Sequence, residues 1–179
     1  MKIKQAGHDQ RGFALPFFIV LLAVIMVVGS LIADIAQLYA IKIATRHMLN
    51  LSLRAAVAEL DMEELKNNRI VIDESAATNK FYEVLRTNFK LDAYNRPMPG
   101  SIVDGPVDIC YFQIINEDMV PFTYTFGDYS ESILCPAATG IIKFPVKQSF
   151  WSKAINPELS ETDMYVHSTV TPELISKHL

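Results

Sequence analysis

Catalysis needs reactive side chains at fixed spacing, and this 179-residue chain holds few. Its two cysteines, Cys110 and Cys135, are 25 residues apart and lack the CxxC or CxxH spacing of a zinc or thioredoxin-like site. Outside the cytoplasm they would form one disulfide, a cross-link that stabilises by roughly 3 kcal/mol for such a loop on the chain-entropy model. Two buried thiols are the alternative. Cys110 with His167 would make a nucleophile–base pair, but no third group suggests itself to orient the imidazole. His167, beside Tyr165 in a β-type run, reads as a surface or rim residue. "DMEE" (61–64) lacks the DxDxDG spacing of a calcium loop and reads as a solvated helix face. Asp104, Asp108, Glu117, Asp118, Asp128 and Glu131 are scattered in stretches read as loops. G-x-S-x-G, H-E-x-x-H, P-loop and dinucleotide fingerprints do not occur. The expectation is a protein without catalytic, cofactor or metal site.

Charge is unevenly divided. Residues 1–58 carry Lys2, Lys4, Arg11, Lys42, Arg46 and Arg54 against Asp9 and Asp34, a net of +4, while the remainder carries −8. An acidic distal part without a basic stripe argues against nucleic acid as a partner.

The elements that would position anything begin with "QRGFALPFFIVLLAVIMVVGSLIAD" (10–34). Gly12 to Ala33 holds no charge, and Phe13 to Ala33 supplies 21 residues, against the ~20 needed to cross about 30 Å of hydrocarbon. Pro16 falls in the first turn, where its missing N–H costs little. A cleaved leader has a shorter apolar core and a small-x-small site; Leu31 before Ala33 does not fit one, and Val28 with Ser30 makes a marginal one. The run therefore reads as a permanent anchor. Lys2, Lys4 and Arg11 favour a cytoplasmic N-terminus, although Lys42, Arg46 and Arg54 lie within about 20 residues of the other end. The short tail and the distal domain tip the orientation to N-in, C-out.

Asp34 to Asn68 contains neither Gly nor Pro. Ile35, Leu38, Ile41, Ala44, Met48, Leu51, Ala55 and Ala58 recur at steps of three and four, an apolar stripe. A second row, Leu49, Leu53, Ala56 and Leu60, widens it; Lys42, Arg46 and Asn50 share a polar face. The expectation is one continuous helix, with a cytoplasmic tail over 1–12, a transmembrane segment over 13–33 and a projecting stalk over 34–68. Its stripe (Ile35, Leu38, Ile41, Met48, Leu51) would need a partner. An amphipathic helix folded back on its own domain is the other reading.

Arg11-Gly12 before the apolar run, Asp34, Leu38-Tyr39, and "RAAVAEL" (54–60) together resemble the N-terminal module of TadE/TadG-like proteins, minor pseudopilins of tight-adherence (Flp, type IV-related) pilus systems. "VIDESAATNKFYEVLRTNFKLD" (71–92) is similar to a further segment of that family. The resemblance implies a non-enzymatic, membrane-anchored envelope protein that assembles with other pilin-like subunits or pilus assembly proteins as a homo- or hetero-oligomer. It also implies prepilin-type processing between Gly12 and Phe13. Here the chain departs from the pattern: the fifth residue after Gly12 is Phe17, where such sites carry Glu.

Beyond Asn68, "RIVID" (69–73) suggests a short strand and Ser75 a helix cap, with Phe81, Leu85 and Phe89 along one helical face to about Phe89. β-type runs follow at 107–115, 121–127, 139–150 and 164–171. Pro145 would make its strand an edge strand or two pieces. The fold class expected is α+β: a long transmembrane-plus-stalk helix, then an extracytoplasmic domain over 69–179 with a mostly antiparallel sheet, a pilin-like layout. The runner-up function is a single-pass envelope binding or sensing module tethered by its helix.

Overall fold

The computed structural model describes residues 14–147 and 161–172. Helix α1 runs Ala14–Val57, α2 Met62–Lys66 and α3 Glu74–Phe89. The strands are β1 Asp108–Ile115, β2 Phe122–Phe126, β3 Tyr129–Ile133, β4 Ala137–Lys147 and β5 Glu161–Val170. β1, β4 and β5 form an antiparallel sheet with β4 central, and β2 and β3 form a separate hairpin. The architecture is α+β.

The chain divides into two compact units, Met1–Tyr39 and Ala40–Leu179. In the first, α1 is long and apolar enough to cross a membrane, and none of its most apolar window is buried. In the second, the rest of α1 is core. Leu49, Leu53 and Ala56 are fully buried, and a side chain on Gly140 of β4 would meet Leu53 and Leu49. The distal unit thus begins at Ala40, well before the boundary expected at residue 69. The buried row is the one the sequence offered as an accessory. Of the main stripe, Ile35, Leu38 and Leu51 are exposed, while Ile41 and Met48 pack partly against the core.

α1 also ends sooner than expected. At Asp61 the backbone N–H donates to the Val71 carbonyl (2.8 Å), and Asp73 N–H donates to that of Glu59 (2.9 Å). The Asp61 carboxylate caps α2 by accepting from the N–H groups of Glu63 and Glu64. A short acid that can satisfy free helix N–H groups favours a new start over continuation. The "RIVID" strand reduces to a single bridge, Leu60 to Ile72. The Asn116 side chain brackets Ile72, accepting from its N–H at 2.7 Å and donating to its carbonyl at 3.1 Å.

Asp73, rather than Ser75, caps α3, accepting from Ala76 N–H at 2.9 Å. Ala77, Phe81, Leu85 and Phe89 fall at four-residue steps and are buried. Phe81 stacks on Phe112 of β1 at 4.2 Å between ring centres.

Alternation along β4 divides the domain into layers. Ala138, Ile142, Phe144 and Val146 join the helices' core, whereas Ala137 and Ile141 join Ile115, Tyr124 and Ile133 beneath the hairpin. Pro145 lies in the central strand, which corrects the edge-strand expectation. It is tolerated because β1 pairs β4 only as far as Lys143, leaving Pro145 opposite Asp163 of β5 alone. Gly105 closes over that gap: a Cβ there would lie 2.3 Å from Pro145 Cγ, so no larger residue fits without a shift.

Because Leu53 is core and Leu51 is surface, they separate a packed helix from a free stalk. Leu53→Ala should lower the unfolding free energy by about 2–5 kcal/mol, and Leu51→Ala by less than about 0.5 kcal/mol, in a denaturant titration.

Candidate functional site

The two cysteines do not meet. Both are free thiols, Cys110 partly buried and Cys135 exposed, and strand register explains why. Ala137 pairs with Ile115, and Cys110 is five residues back along β1, about 16 Å at ~3.3 Å per residue. Cys135 precedes Ala137 by two residues and can recover at most about 7–8 Å of that. A disulfide needs Cα atoms within about 7 Å. A bulge between Ile109 and Tyr111 interrupts the pairing with β4 and places both Cys110 and Tyr111 against the cluster under the hairpin. Burial pushes the Cys110 thiol up, which favours its unreactive protonated form.

Glu131 is the acid that matters, and it lies on β3 rather than in a loop. His167 is equally placed by alternation: Val166, Ser168 and Val170 of β5 are buried, and His167 and Thr169 point to the opposite, hairpin side. Donors converge on one oxygen, Glu131 Oε2. Thr169 donates to it at 2.6 Å, Tyr124 at 3.0 Å, and His167 Nε2 lies at 3.2 Å. Tyr124 Oη is 2.5 Å from His167 Nε2 and 3.0 Å from Thr139 Oγ1, which is 2.9 Å from Thr169 Oγ1. A carboxylate only accepts, so its proximity selects the tautomer with hydrogen on Nε2. Aromatic rings surround the group: Tyr111 stacks on Tyr124 at 5.0 Å, and Tyr129 lies 4.5 Å from the His167 ring.

The electrostatics follow from partial burial. Desolvation pushes Tyr124 up to about 12, so it stays a phenol. Desolvation also lowers His167; attraction to Glu131 opposes this without reversing it, and the Arg46 guanidinium adds to the lowering. For Glu131 desolvation acts upward, but hydrogen bonds from Thr169 and Tyr124, joined in acid by the charge of protonated His167, outweigh it and leave the carboxyl lowered. At neutral pH the group is one carboxylate held by neutral donors. Its atoms are engaged with one another, and together they tie the β2–β3 hairpin to the sheet.

Other expected residues lie apart from this group. Gly12 and Phe13 lie outside the described residues. Asp61 is a cap and Glu64 pairs with Arg69 at 3.2 Å. Asp104 pairs with Lys147 at 3.0 Å, and Lys143 bridges Asp108 and Asp163 at 3.5 and 3.6 Å. Among the described residues no group of three or more His, Cys, Asp or Glu is arranged to hold a metal. On α1 an open groove of about 590 Å³ is lined by Ile43, Arg46, His47, Asn50, Leu51 and Arg54. Asn50 there links Arg54 Nε (3.0 Å) to Ser168 of β5 (3.2 Å). No family model matches the chain, and no curated protein or solved structure does either.

Alkylation of the unreduced native protein should label Cys135 first. Denaturation without reductant should then add one further adduct at Cys110, read by mass; a mass fixed at zero adducts would restore the disulfide.

Both titrating groups act with the same sign. The folded values of His167 and Glu131 are lowered, so the unfolded chain binds more protons, and stability falls as pH falls. The His167 contribution is complete above its ordinary value of 6.5 and is lost as pH drops from there to its lowered folded value. The Glu131 contribution is lost below 4.5. The melting temperature should therefore decline between pH 7.5 and 5.5, and His167→Gln should flatten that slope.

Proposed function

We propose that this chain is a membrane-anchored structural or assembly component of pilin-like type, associating with similar subunits through α1. It belongs, on this reading, with the TadE/TadG-like pseudopilins of tight-adherence pili or a related secretion system. The N-terminus is cytoplasmic and the domain from Ala40 onward faces outside. One observation carries the reading. From Leu15 to Ile35 the large apolar side chains of α1 are exposed, Phe18, Met26 and Ile32 among them, while the same helix supplies Leu49, Leu53 and Ala56 to the domain core. A mere tether needs no such union, because a flexible linker would serve it. The exposed apolar side chains of such a helix offer a surface for lateral packing against like helices in a membrane.

The polar group of Tyr124, Glu131 and His167 has, on this reading, an internal role: it holds the hairpin. The tethered binding module is the competing class, and the two separate in one experiment. Replacing residues 13–33 by an unrelated spanning helix, with α1 continuous and the domain still folded, should keep the protein in the alkali-resistant membrane fraction. It should also abolish its co-purification with like subunits. Retained association after the swap would favour the tether, and a soluble wild-type chain would refute the anchor.

A further inference from the structure

Charge is segregated within the unit from Ala40 onward. Residues 40–58 hold Lys42, Arg46 and Arg54 and no acid. Arg46 and Arg54 line the α1 groove together with Ile43 and Leu51, which are 68% and 41% exposed. Arg46 forms no ion pair among the described residues. The opposite charge gathers where α1 stops. Asp61 N–H donates to the Val71 carbonyl, Asp73 N–H to that of Glu59, and the Asn116 side chain brackets Ile72. These contacts bring residues 59–64, 71–74 and 116–118 to one end of the domain, with eight acids and no lysine or arginine among them. Asp61 and Asp73 serve as helix caps and Glu64 pairs with Arg69. Glu63, Glu117 and Asp118 are exposed and form no ion pair among the described residues. Met62, beside Glu63, is 69% exposed.

We propose that the α1 groove takes the acidic end of a second copy of this chain, with Met62 between Ile43 and Leu51 and Glu63 against Arg46. The proposal rests on the association reading above and adds to it a contact between distal domains. Within one copy the groove is lined by α1 alone, and the acidic end lies past Val57, where that helix has stopped. The two surfaces match in charge and in polarity. A flexible, exposed thioether suits an open apolar floor, and a carboxylate meets a guanidinium at its side. An anionic lipid head group would answer the guanidinium but leave Ile43, Leu51 and Met62 uncovered. Like surfaces exclude one another: groove against groove sets arginines together, and end against end sets carboxylates together. Each copy therefore offers its groove to one neighbour and its acidic end to another, a heterologous contact rather than a closed pair.

The test uses full-length protein in membranes, with Cys110 and Cys135 replaced by serine. One copy carries His47→Cys in the groove and the other Met62→Cys, and the two are co-expressed under different tags. A short thiol cross-linker is applied, and yields are normalised to the alkylation rate of each thiol. Cross-links between 47 and 62 should dominate over 47–47 and 62–62. Arg46→Glu on the first copy, or Glu63→Lys on the second, should lower that yield about fivefold, because reversal exchanges an attraction for a repulsion. Both together should restore it to within about twofold, a rescue between separate chains that misfolding of either would not give. Dominant 47–47 or 62–62 products, or a yield indifferent to the reversals, would overturn the docking, whether the groove then holds anionic lipid or nothing. If tagged and untagged copies still co-purify in that case, association through α1 stands; if they do not, both readings fall.

Discussion

The seating of α1 on the sheet is the contact on which the rest of the structure depends. Leu49, Leu53 and Ala56 are fully buried, and Leu53 and Leu49 lie directly over Gly140 of the central strand. Fully burying a leucine side chain contributes about 1.5–3 kcal/mol, so these positions alone hold the helix firmly to β4. Everything else on that side assembles around it. α3 brings Phe81, Leu85 and Phe89 into the same core, and β5 meets the helix through the Asn50–Ser168 hydrogen bond. Because α1 is one helix from Ala14 to Val57, the segment able to cross a membrane and the segment that supplies Leu49, Leu53 and Ala56 to the core belong to the same element.

The opposite face of the sheet is organised by polarity rather than by helix packing. A small apolar cluster, with Ile115, Ile133, Ala137 and Ile141, leaves a partly buried polar spot that Glu131, Tyr124, His167, Thr139 and Thr169 fill together. Leaving any one of these groups unpaired would cost about 1–3 kcal/mol, more for the carboxylate. That asymmetry is why such a group specifies how a hairpin docks: a shifted register would strand the carboxylate without its donors. The acid sensitivity expected of this group would be a by-product of holding a neutral imidazole beside a carboxylate away from water.

Much of the fold was legible in local pattern. The four-residue steps of α3 and the β-type runs at β1, β2, β4 and β5 match elements in place, and α1 was visible as an apolar run continued by helical periodicity. β3 was not, because "YSESI" pairs on one side only and carries polar residues that look like loop. The end of α1 was missed for a different reason. Residues 58–66 have good helix propensity, but Asp61 gains more by capping a new helix while its backbone pairs with Val71, a partner ten residues away. Pro145 misled because proline forbids a ladder hydrogen bond only where a neighbouring strand exists to receive it.

The sequence by itself determined the class of elements and their order: a membrane-length apolar helix, a second amphipathic helix, and short strands that turn back on one another. Those follow from composition and period, which act over a few residues. Only the tertiary structure decided which row of α1 is buried, that Cys110 and Cys135 stand too far apart to bond, and that Glu131 and His167 share a carboxylate-centred group. Each of these depends on strand register and on which face of an element meets which neighbour. A shift of one residue in a strand reverses every such assignment while leaving the local pattern unchanged.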